Sequence, residues 1–478
     1  MNPTSIAVVG GGITGLSAAR LLALRGIHVT VLEAANRWGG KLCPVTINGV
    51  RLDGGAESVL ARRPEGLQLI NELDLGTRVV YPAESKPQLL VGGHLHEMPA
   101  SLLGIPTDVG QLAGLLSAEG WRTAAAEPER PAPPFDHDLA IGRYVEDRFG
   151  AEVTDRLLEP LLGGVYAGYA RRLSFDAVAH ELFLRAKSGG SLLEHAQAAV
   201  REGREGPVFA ALRGGISILI DSLVDDLGQR GVVLRPGAAV RALDHTAEGY
   251  QLIIGGAGTP ELIISDGVLL TAPATATGRL LSGLVDSAQE FARLPYASVA
   301  VLTLVVRGVR SDASGLLVPP GELPTIKALT YSSIKWPWVA SQARRAWGSG
   351  VEVVRVSIGR HGDPTSLQFS DRDLIDRTFS EALTIPGWKQ AALVHGSVNR
   401  WGGALPQYQV GHRDLVAQLL SEVAGRPGLA VAGAALDGVG IAACLGSARL
   451  AVDTLLADFG LGNEKAIKSE DQLEESER

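Results

Sequence analysis

The first 33 residues constrain the fold most strongly. Residues 5–9 (SIAVV) predict a short buried strand, and Gly10, Gly12 and Gly15 follow it in the spacing G-x-G-x-x-G. Apolar residues at helical spacing come next, and residues 28–33 predict a second strand that ends at Glu33. A strand–helix–strand unit with glycines at its first turn and an acid at its end indicates a dinucleotide-binding fold.

Each residue of this unit has a physical task. Gly10 permits the tight turn, Gly12 lets the backbone approach a pyrophosphate, and Gly15 allows close packing of helix on strand. The start of the helix offers free N–H groups to the phosphates, and Glu33 can accept hydrogen bonds from a ribose diol. A glycine-rich turn without a ligand is the alternative, since the chain holds 59 Gly among 478 residues. The complete unit favours dinucleotide binding.

The stretch that follows separates the classes of dinucleotide. Residues 33–41 (EAANRWGGK) carry a second glycine pair that simple nicotinamide dehydrogenases do not need. They resemble flavin oxidases of the amine-oxidase type. In that resemblance Arg37 and Lys41 face the pyrophosphate, and residues 52–58 (LDGGAES) lie along the flavin. A solvated surface charge is the alternative for either cation alone.

A second cofactor segment is expected near the C-terminus of such a fold. In residues 428–446 (GLAVAGAALDGVGIAACLG) a short strand ends at Gly433, and residues 437–441 open an apolar helix. The N-terminus of this helix can point at the pyrophosphate or at the flavin. A buried Ala/Gly helix packed on the sheet is the alternative.

Four motifs extend the resemblance over nearly the whole chain, to the protoporphyrinogen/coproporphyrinogen oxidase family within the flavin amine-oxidase superfamily. They are GGGITGL at 10–16, GGVYAG at 163–168, RGGISILID at 213–221 and RWGGALPQYQVGH at 400–412. The sequence is most similar to Gram-positive-type coproporphyrinogen III oxidases. It departs from the family at residues 55–58, where GAES replaces a more usual Gly-Pro-Asn/Asp-Ser, and at Ala442 and Ala443, where polar residues are common.

The predicted fold class is α/β: a Rossmann-like FAD-binding domain, a mixed-sheet substrate domain and a helical, membrane-binding-like domain. Strand-like runs at 298–306 and 351–359 indicate the substrate sheet, and short strands within 232–272 indicate a small antiparallel layer. The expected boundaries are FAD binding at 1–84, 206–280 and 406–462, a mainly helical region at 85–205, the substrate sheet at 281–405 and a disordered tail at 463–478.

The resemblance implies a set of FAD-binding residues. They are Gly10, Gly11, Gly12, Ile13, Thr14, Gly15, Leu16, Glu33, Ala34, Arg37, Gly39, Gly40, Lys41, Gly55, Ala56, Glu57, Ser58, Val240, Trp401, Gly433, Val439, Gly440 and Ile441. An ordinary strand valine is the alternative for Val240, and a core indole is the alternative for Trp401.

On the substrate side the expected residues are Arg63, Tyr166 and Ala167. Arginine suits a propionate because its planar fork matches a carboxylate. A surface charge is the alternative for Arg63, and plain packing is the alternative for Tyr166 and Ala167. No metal site is expected. No side-chain acid or base is assigned, because the resemblance implies that the flavin N5 atom accepts the hydride.

The implied activity is FAD-dependent oxidation of coproporphyrinogen III to coproporphyrin III in haem biosynthesis. Six electrons leave in three steps, and oxygen is reduced to hydrogen peroxide. Protoporphyrinogen IX is the alternative substrate. The sequence also leaves open another flavin amine oxidase, a carotenoid desaturase and a non-enzymatic flavin-bearing porphyrin-binding module.

Composition excludes some partners. The formal net charge of −8 argues against nucleic acid. Two cysteines, Cys43 and Cys444, cannot build a disulfide framework and fit a reducing cytoplasm. No secretory signal and no run of 18 apolar residues is recognised, so a spanning helix is not expected. Peripheral membrane contact, transient contact with haem-pathway enzymes and oligomeric state stay open.

Overall fold

The computed structural model describes residues 4–203, 206–256 and 259–461, so the predicted tail at 463–478 lies outside the described residues. The strands are β1 (Ser5–Val9), β2 (His28–Leu32), β3 (Pro44–Ile47), β4 (Val50–Asp53), β5 (Val59–Leu60), β6 (Val79–Val80), β7 (Pro87–Val91), β8 (His94–Glu97), β9 (Ser101–Leu102), β10 (Ile105–Pro106), β11 (Phe209–Leu212), β12 (Val233–Arg235), β13 (Val240–Thr246), β14 (Gly249–Ile254), β15 (Glu261–Ser265), β16 (Gly267–Leu270), β17 (Tyr296–Arg307), β18 (Gly315–Leu317), β19 (Ile326–Tyr331), β20 (Val351–Ile358), β21 (Ala392–Pro406) and β22 (Leu429–Val431). The α-helices are α1 (Ile13–Ala23), α2 (Pro64–Glu72), α3 (Ala118–Ala125), α4 (Ile141–Phe149), α5 (Ala151–Val153), α6 (Glu159–Tyr166), α7 (Phe175–Val178), α8 (His180–Lys187), α9 (Leu192–Arg201), α10 (Ile218–Gln229), α11 (Ala274–Leu281), α12 (Ala288–Ala292), α13 (Ser332–Lys335), α14 (Pro337–Trp347), α15 (Asp371–Ala382), α16 (His412–Ala424) and α17 (Ile441–Asp458).

The first layer is a parallel five-stranded sheet in the order β12-β2-β1-β16-β22. Its strands come from three distant parts of the chain, with the N-terminal strand in the centre. Helices α1, α10 and α17 cover one face in a shared apolar core. A second apolar core lies on the other face, which explains why β1, β16 and β22 are apolar on both faces. The Rossmann-like sheet predicted from the sequence is confirmed.

A small antiparallel layer of β13, β14 and β15 packs with the other face of this sheet in a second core. The chain then returns to the main sheet as β16. The short strands predicted within residues 232–272 are therefore confirmed, together with their return to the main sheet.

The second sheet is mixed and has seven strands in the order β21-β17-β20-β19-β18-β7-β8. Strands β17 and β20 form the predicted runs at 298–306 and 351–359, and they pair antiparallel. The edge strands β7 and β8 come from residues 87–97, although the sequence predicts a mainly helical region from residue 85. Strand β7 pairs in parallel with β18, more than 200 residues later, and the local pattern carries no sign of that partner.

Helices α3 to α9 form the remaining layer around their own apolar core. This helical layer meets the seven-stranded sheet where α6 packs on β18 and β19. In the described part of the chain, every helix is too short or too polar to cross a lipid bilayer.

Candidate active site

The first glycine turn is closed too tightly for side chains at most positions. A Cβ on Gly15 would overlap the carbonyl oxygen of Gly10, so α1 can approach the end of β1 only with glycine there. Gly12 differs, because a Cβ at this position would meet nothing within 4 Å. Gly12 also precedes the first residue of α1, and no side chain caps that helix. Free amides therefore face an open space in front of α1.

Glu33 lies beside this turn at the end of β2. Its carboxylate accepts hydrogen bonds from the backbone N–H of Gly11 at 2.6 Å and of Ala35 at 2.7 Å. The acid is therefore held at the mouth of the turn. Ala34 is exposed directly after it, whereas Ile13 and Leu16 are buried in the core beneath α1.

The second glycine pair lies directly against the first turn. The N–H of Gly39 donates to the carbonyl of Gly11 at 2.8 Å, and a Cβ on Gly40 would lie 3.4 Å from Cα of Gly12. Next in the chain, burial lowers the pKa of the Lys41 ammonium, which pairs with no carboxylate among the described residues. A desolvated cation beside free amides suits a phosphate group.

The C-terminal segment completes this arrangement. Gly440 precedes α17, no side chain caps the helix, and a Cβ on Gly440 would meet nothing within 4 Å. The N–H of Gly433 donates to Ser447 Oγ at 2.7 Å, and a Cβ on Gly433 would lie 3.8 Å from Thr14 Oγ1. Two uncapped helix starts from opposite ends of the chain therefore lie together. The open space, the free amides and the buried ammonium fit the pyrophosphate of a dinucleotide.

Trp401 on β21 closes one side of the predicted flavin segment. Its indole Nε1 donates to the carbonyl of Gly54 at 3.1 Å, and the Arg37 guanidinium lies 5.5 Å from its ring centroid. The N–H of Ala56 donates to the carbonyl of Lys41 at 3.1 Å. The structure thus brings the segments at 33–41, 52–58 and 401 together, and Ser58 is half-buried at the end of this stretch.

Glu57 has two partners that no sequence pattern indicates. Its two carboxylate oxygens lie 2.6 Å from Lys335 Nζ and 2.6 Å from an Arg355 Nη atom, and all three side chains are about six-sevenths buried. Arg355 also donates to the carbonyl of Gly55. Burial alone would raise the pKa of the Glu57 carboxyl, but the two cations outweigh it and hold the pKa at about 2. Glu57 is therefore an anion that fixes the flavin-side segment to the large sheet.

Tyr166 and Ala167 lie where the helical layer meets the large sheet. Ala167 has a left-handed backbone (φ +51°) and is fully buried, and its carbonyl accepts a hydrogen bond from His361 N–H at 2.7 Å. It belongs to a small apolar cluster against which Trp401 packs. Burial raises the pKa of Tyr166 to about 12, and its ring centroid lies 5.6 Å from that of Tyr408. Both candidate residues are thus on the Trp401 side of the site.

The motif at 400–412 joins the substrate side to the C-terminal cofactor segment. Tyr408 donates its hydroxyl hydrogen to the carbonyl of Ala434 at 2.5 Å and accepts from Gly438 N–H at 2.9 Å. His412 stacks on Tyr408 with ring centroids 4.1 Å apart, and its Nε2 lies 2.8 Å from the carbonyl of Leu436. Both side chains therefore hold the loop before α17, and Val439 of that loop packs on the helical core.

Two predicted residues lie at the margins. Arg63 Nη2 is 2.5 Å from Glu65 Oε1 beside Gly446 of α17, and the structure gives it no contact with Tyr166 or Ala167. Val240 begins β13, where a bulge interrupts the pairing with β14. The assignments of Arg63 to the substrate and of Val240 to FAD stay predictions.

Two cations that no sequence pattern indicates lie at the boundary between α6 and the large sheet. Lys327 on β19 is 4 % exposed, and Arg360 follows β20 beside Gly163. Neither lies in a recognisable motif, because the β19–α6 contact joins residues more than 150 positions apart. No three His, Cys, Asp or Glu side chains within residues 4–203, 206–256 and 259–461 are arranged to hold a metal ion.

Known proteins share this organisation. The model of the flavin-containing amine oxidoreductase family matches residues 13–456. The coproporphyrinogen III oxidase of Mycobacterium tuberculosis (strain H37Rv) is 36% identical over 470 residues, which cover 95% of this chain and 98% of that protein. The coproporphyrinogen III oxidase of Bacillus subtilis (strain 168) is 28% identical over 475 residues, which cover 94% and 97%.

A solved structure agrees with these relatives. It is that of an Exiguobacterium sp. 255-15 protein described as a candidate protoporphyrinogen oxidase, with a TM-score of 0.82 and 28% identity, and the match covers 96% of this chain and 100% of that chain. The family match also explains why two glycine turns from opposite ends of the chain face one open space. The chain therefore belongs to the flavin-containing amine oxidoreductase family and, within it, to the coproporphyrinogen and protoporphyrinogen oxidases.

Proposed function

We propose that this protein is an FAD-dependent oxidase that converts coproporphyrinogen III to coproporphyrin III. The observation that carries the proposal is the match to the Mycobacterium tuberculosis coproporphyrinogen III oxidase along almost the full length of both chains. Three molecules of oxygen accept two electrons each, so six electrons leave the substrate and three molecules of hydrogen peroxide form.

FAD, rather than a mononucleotide, fits the extent of the site. Its pyrophosphate would lie between the starts of α1 and α17, next to Lys41, and its ribose diol would donate to Glu33. The bound flavin supplies the hydride-accepting chemistry that no side chain of the protein can provide. Gly54, Gly55 and Trp401 would form the wall beside the ring system.

The protein itself positions the substrate and excludes water. Ala167, Val299 and Ala404 belong to a buried apolar cluster against which Trp401 packs. A flat, largely apolar macrocycle would be held against this side of the site. The chain's own residues thus supply orientation and a low dielectric, and no proton-transferring side chain is needed.

The deciding experiment is anaerobic mixing of the holoenzyme with coproporphyrinogen III and, in parallel, with protoporphyrinogen IX. We expect rapid bleaching of the flavin absorbance with coproporphyrinogen III, slower bleaching with protoporphyrinogen IX, and recovery in air with release of peroxide. Faster bleaching with protoporphyrinogen IX would reassign the substrate. If amines bleach the flavin and neither porphyrinogen does, the protein is a different oxidase. If neither the porphyrinogens nor the amines bleach the flavin, the protein is a binding protein.

Glu33 tests the assignment of the cofactor. We expect Glu33→Ala to release flavin on dilution, because the ribose loses its acceptor and Gly11 N–H loses its partner. Glu33→Gln keeps one side-chain oxygen and should retain more flavin than the alanine variant. The measurement is the ratio of flavin to protein after gel filtration, with chromatography of the released flavin. Full retention in Glu33→Ala, or elution of the released flavin as FMN, would contradict the assignment.

A further inference from the structure

A buried lysine with no counter-charge lies between the helical layer and the large sheet. Lys327 sits on β19 at a bulge in the pairing with β20 and is 4 % exposed. Within the described residues it forms no ion pair. Burial lowers the pKa of its ammonium to about 7, and the nearby Arg360 acts in the same direction. A buried, unpaired ammonium destabilises the folded protein unless an anion binds beside it.

Arg360 is the second cation at this boundary between the helical layer and the large sheet. Its Nη1 atom is buried and has no hydrogen-bond partner, and its other Nη atom reaches only the carbonyl of Val318 at 3.5 Å. A Cβ on Gly163 would overlap the guanidinium, so glycine in α6 is what admits this group. The guanidinium also lies 5.8 Å from the ring centroid of Tyr169. The fork is therefore held in place with donor capacity unused.

The surrounding charges do not balance these two cations. Glu159 of α6 is the carboxylate whose charge acts on Arg360, and backbone N–H groups of Ala170 and Arg171 donate to it. Burial raises the pKa of the Glu159 carboxyl. Arg171 is held by Glu146 and Asp155 at 2.6 Å each, so those acids are already paired. Arg172 adds positive charge beside His361, whose pKa burial and Arg172 lower.

Arg360 and Lys327 lie next to the Trp401 side of the candidate active site. His361 follows Arg360 in the chain, and its N–H donates to the carbonyl of Ala167 at 2.7 Å. Ala167 in turn belongs to the apolar cluster against which Trp401 packs. A ligand held against Trp401 can therefore extend a charged arm towards Arg360.

We propose that Arg360, with Lys327 beside it, binds a carboxylate of the substrate and so fixes which edge of the macrocycle enters the site. The inference rests on the proposed function and adds the residues that recognise the propionate groups. A planar guanidinium binds a carboxylate through two parallel hydrogen bonds, and the neighbouring ammonium adds a second charge. The carboxylate would also supply the anion that Lys327 lacks.

The test uses the holoenzyme and two ligands of the same shape, coproporphyrin III and its tetramethyl ester. We expect Arg360→Gln and Lys327→Met each to weaken binding of coproporphyrin III about tenfold, the loss of one charge-assisted contact, and to leave binding of the ester unchanged. Fluorescence quenching gives both dissociation constants. Arg372→Gln is the control. Arg372 is 92% exposed and has no part in the proposed carboxylate site, so this variant should bind both ligands as wild type does.

A second measurement separates ligand recognition from folding. Lys327→Met should raise the melting temperature of the ligand-free holoenzyme, because it removes a buried unpaired charge. The gain should be full below about pH 7 and shrink between about pH 7 and 10.5, where the folded protein has already lost the proton and the unfolded chain has not. A merely structural lysine would give lower stability and weaker binding of acid and ester alike.

Other outcomes decide between the two proposals. If the wild type oxidises coproporphyrinogen III while both variants bind the acid as tightly as it does, the carboxylate site is wrong and the proposed function stands. If the wild type binds coproporphyrin III in preference to its ester, and the variants lose that preference, the carboxylate site stands even where oxidation is absent. Equal loss for acid and ester overturns the carboxylate site.

Discussion

Replacing Gly12 with valine should remove the flavin and leave the protein folded. The backbone at Gly12 is extended (φ −77°, ψ 179°), which valine adopts readily, and a Cβ there would meet nothing within 4 Å. The stability of the flavin-free protein should therefore stay within about 1 kcal/mol of wild type. A valine side chain would fill the space assigned to the pyrophosphate and should weaken flavin binding by about 3 kcal/mol, or about a hundredfold.

Two further variants sharpen this prediction. Gly440→Val should behave in the same way, because Gly440 is also extended and open in front of α17. Gly15→Ala should fail differently, since its Cβ would overlap the carbonyl oxygen of Gly10 and disturb the core with or without flavin. Urea unfolding of flavin-free protein and titration with FAD separate the two effects. Normal FAD affinity in Gly12→Val would show that the pyrophosphate does not occupy this space.

The glycine turns were predictable because they are local. The strand, the glycine spacing and the acid at residues 5–33 fit one geometry, and the structure shows that unit with Glu33 bonded to the N–H of Gly11. The helix start at Gly440 near the C-terminus was equally predictable from the local sequence. Its position beside α1 followed from the family resemblance, and the contact of Gly433 with Thr14 shows it.

Contacts between distant segments could not be predicted in the same way. Strands β7 and β8 join a sheet whose other strands all lie at residue 296 or later, so the local sequence predicts a helical region there and does not reveal the strands. The partners of Glu57, Lys335 and Arg355, lie 278 and 298 residues away. A glutamate where the family more often has Asn or Asp was the one visible signal. It indicated an altered contact at Glu57 but did not identify the cations that pair with this residue.

The same limit applies to substrate recognition. The sequence favours Arg63 because it follows the flavin-side segment, yet its guanidinium forms an ion pair with Glu65. Arg360 has unused donors, but it becomes visible only when α6 is placed on the large sheet. Arg63 pairs with an acid two residues away in the sequence, whereas the unused donors of Arg360 follow only from the packing of distant segments.

The loss of the Glu57 charge should be the most destabilising single change in this region. Glu57→Gln leaves Lys335 and Arg355 buried without their anion, and breaking such a pair costs about 3–5 kcal/mol. Urea unfolding of the flavin-free protein measures this loss. Glu65→Gln is the matched control, because its partner Arg63 is half-exposed and such pairs contribute about 1 kcal/mol or less.

The pKa of Glu57 predicts how the stability difference between wild type and Glu57→Gln changes with pH. The folded pKa of Glu57 is about 2 and its ordinary value is 4.5, so its contribution is complete above pH 4.5 and disappears as the pH falls towards 2. The difference in unfolding free energy between wild type and Glu57→Gln should therefore be constant from about pH 5 to 7 and should narrow below pH 4.5. A difference that stays constant down to pH 3 would mean that the ion cluster does not hold Glu57 ionised. The flavin-side segment would then be fixed to the large sheet chiefly by the bonds of Trp401 and Arg355 to the carbonyls of Gly54 and Gly55.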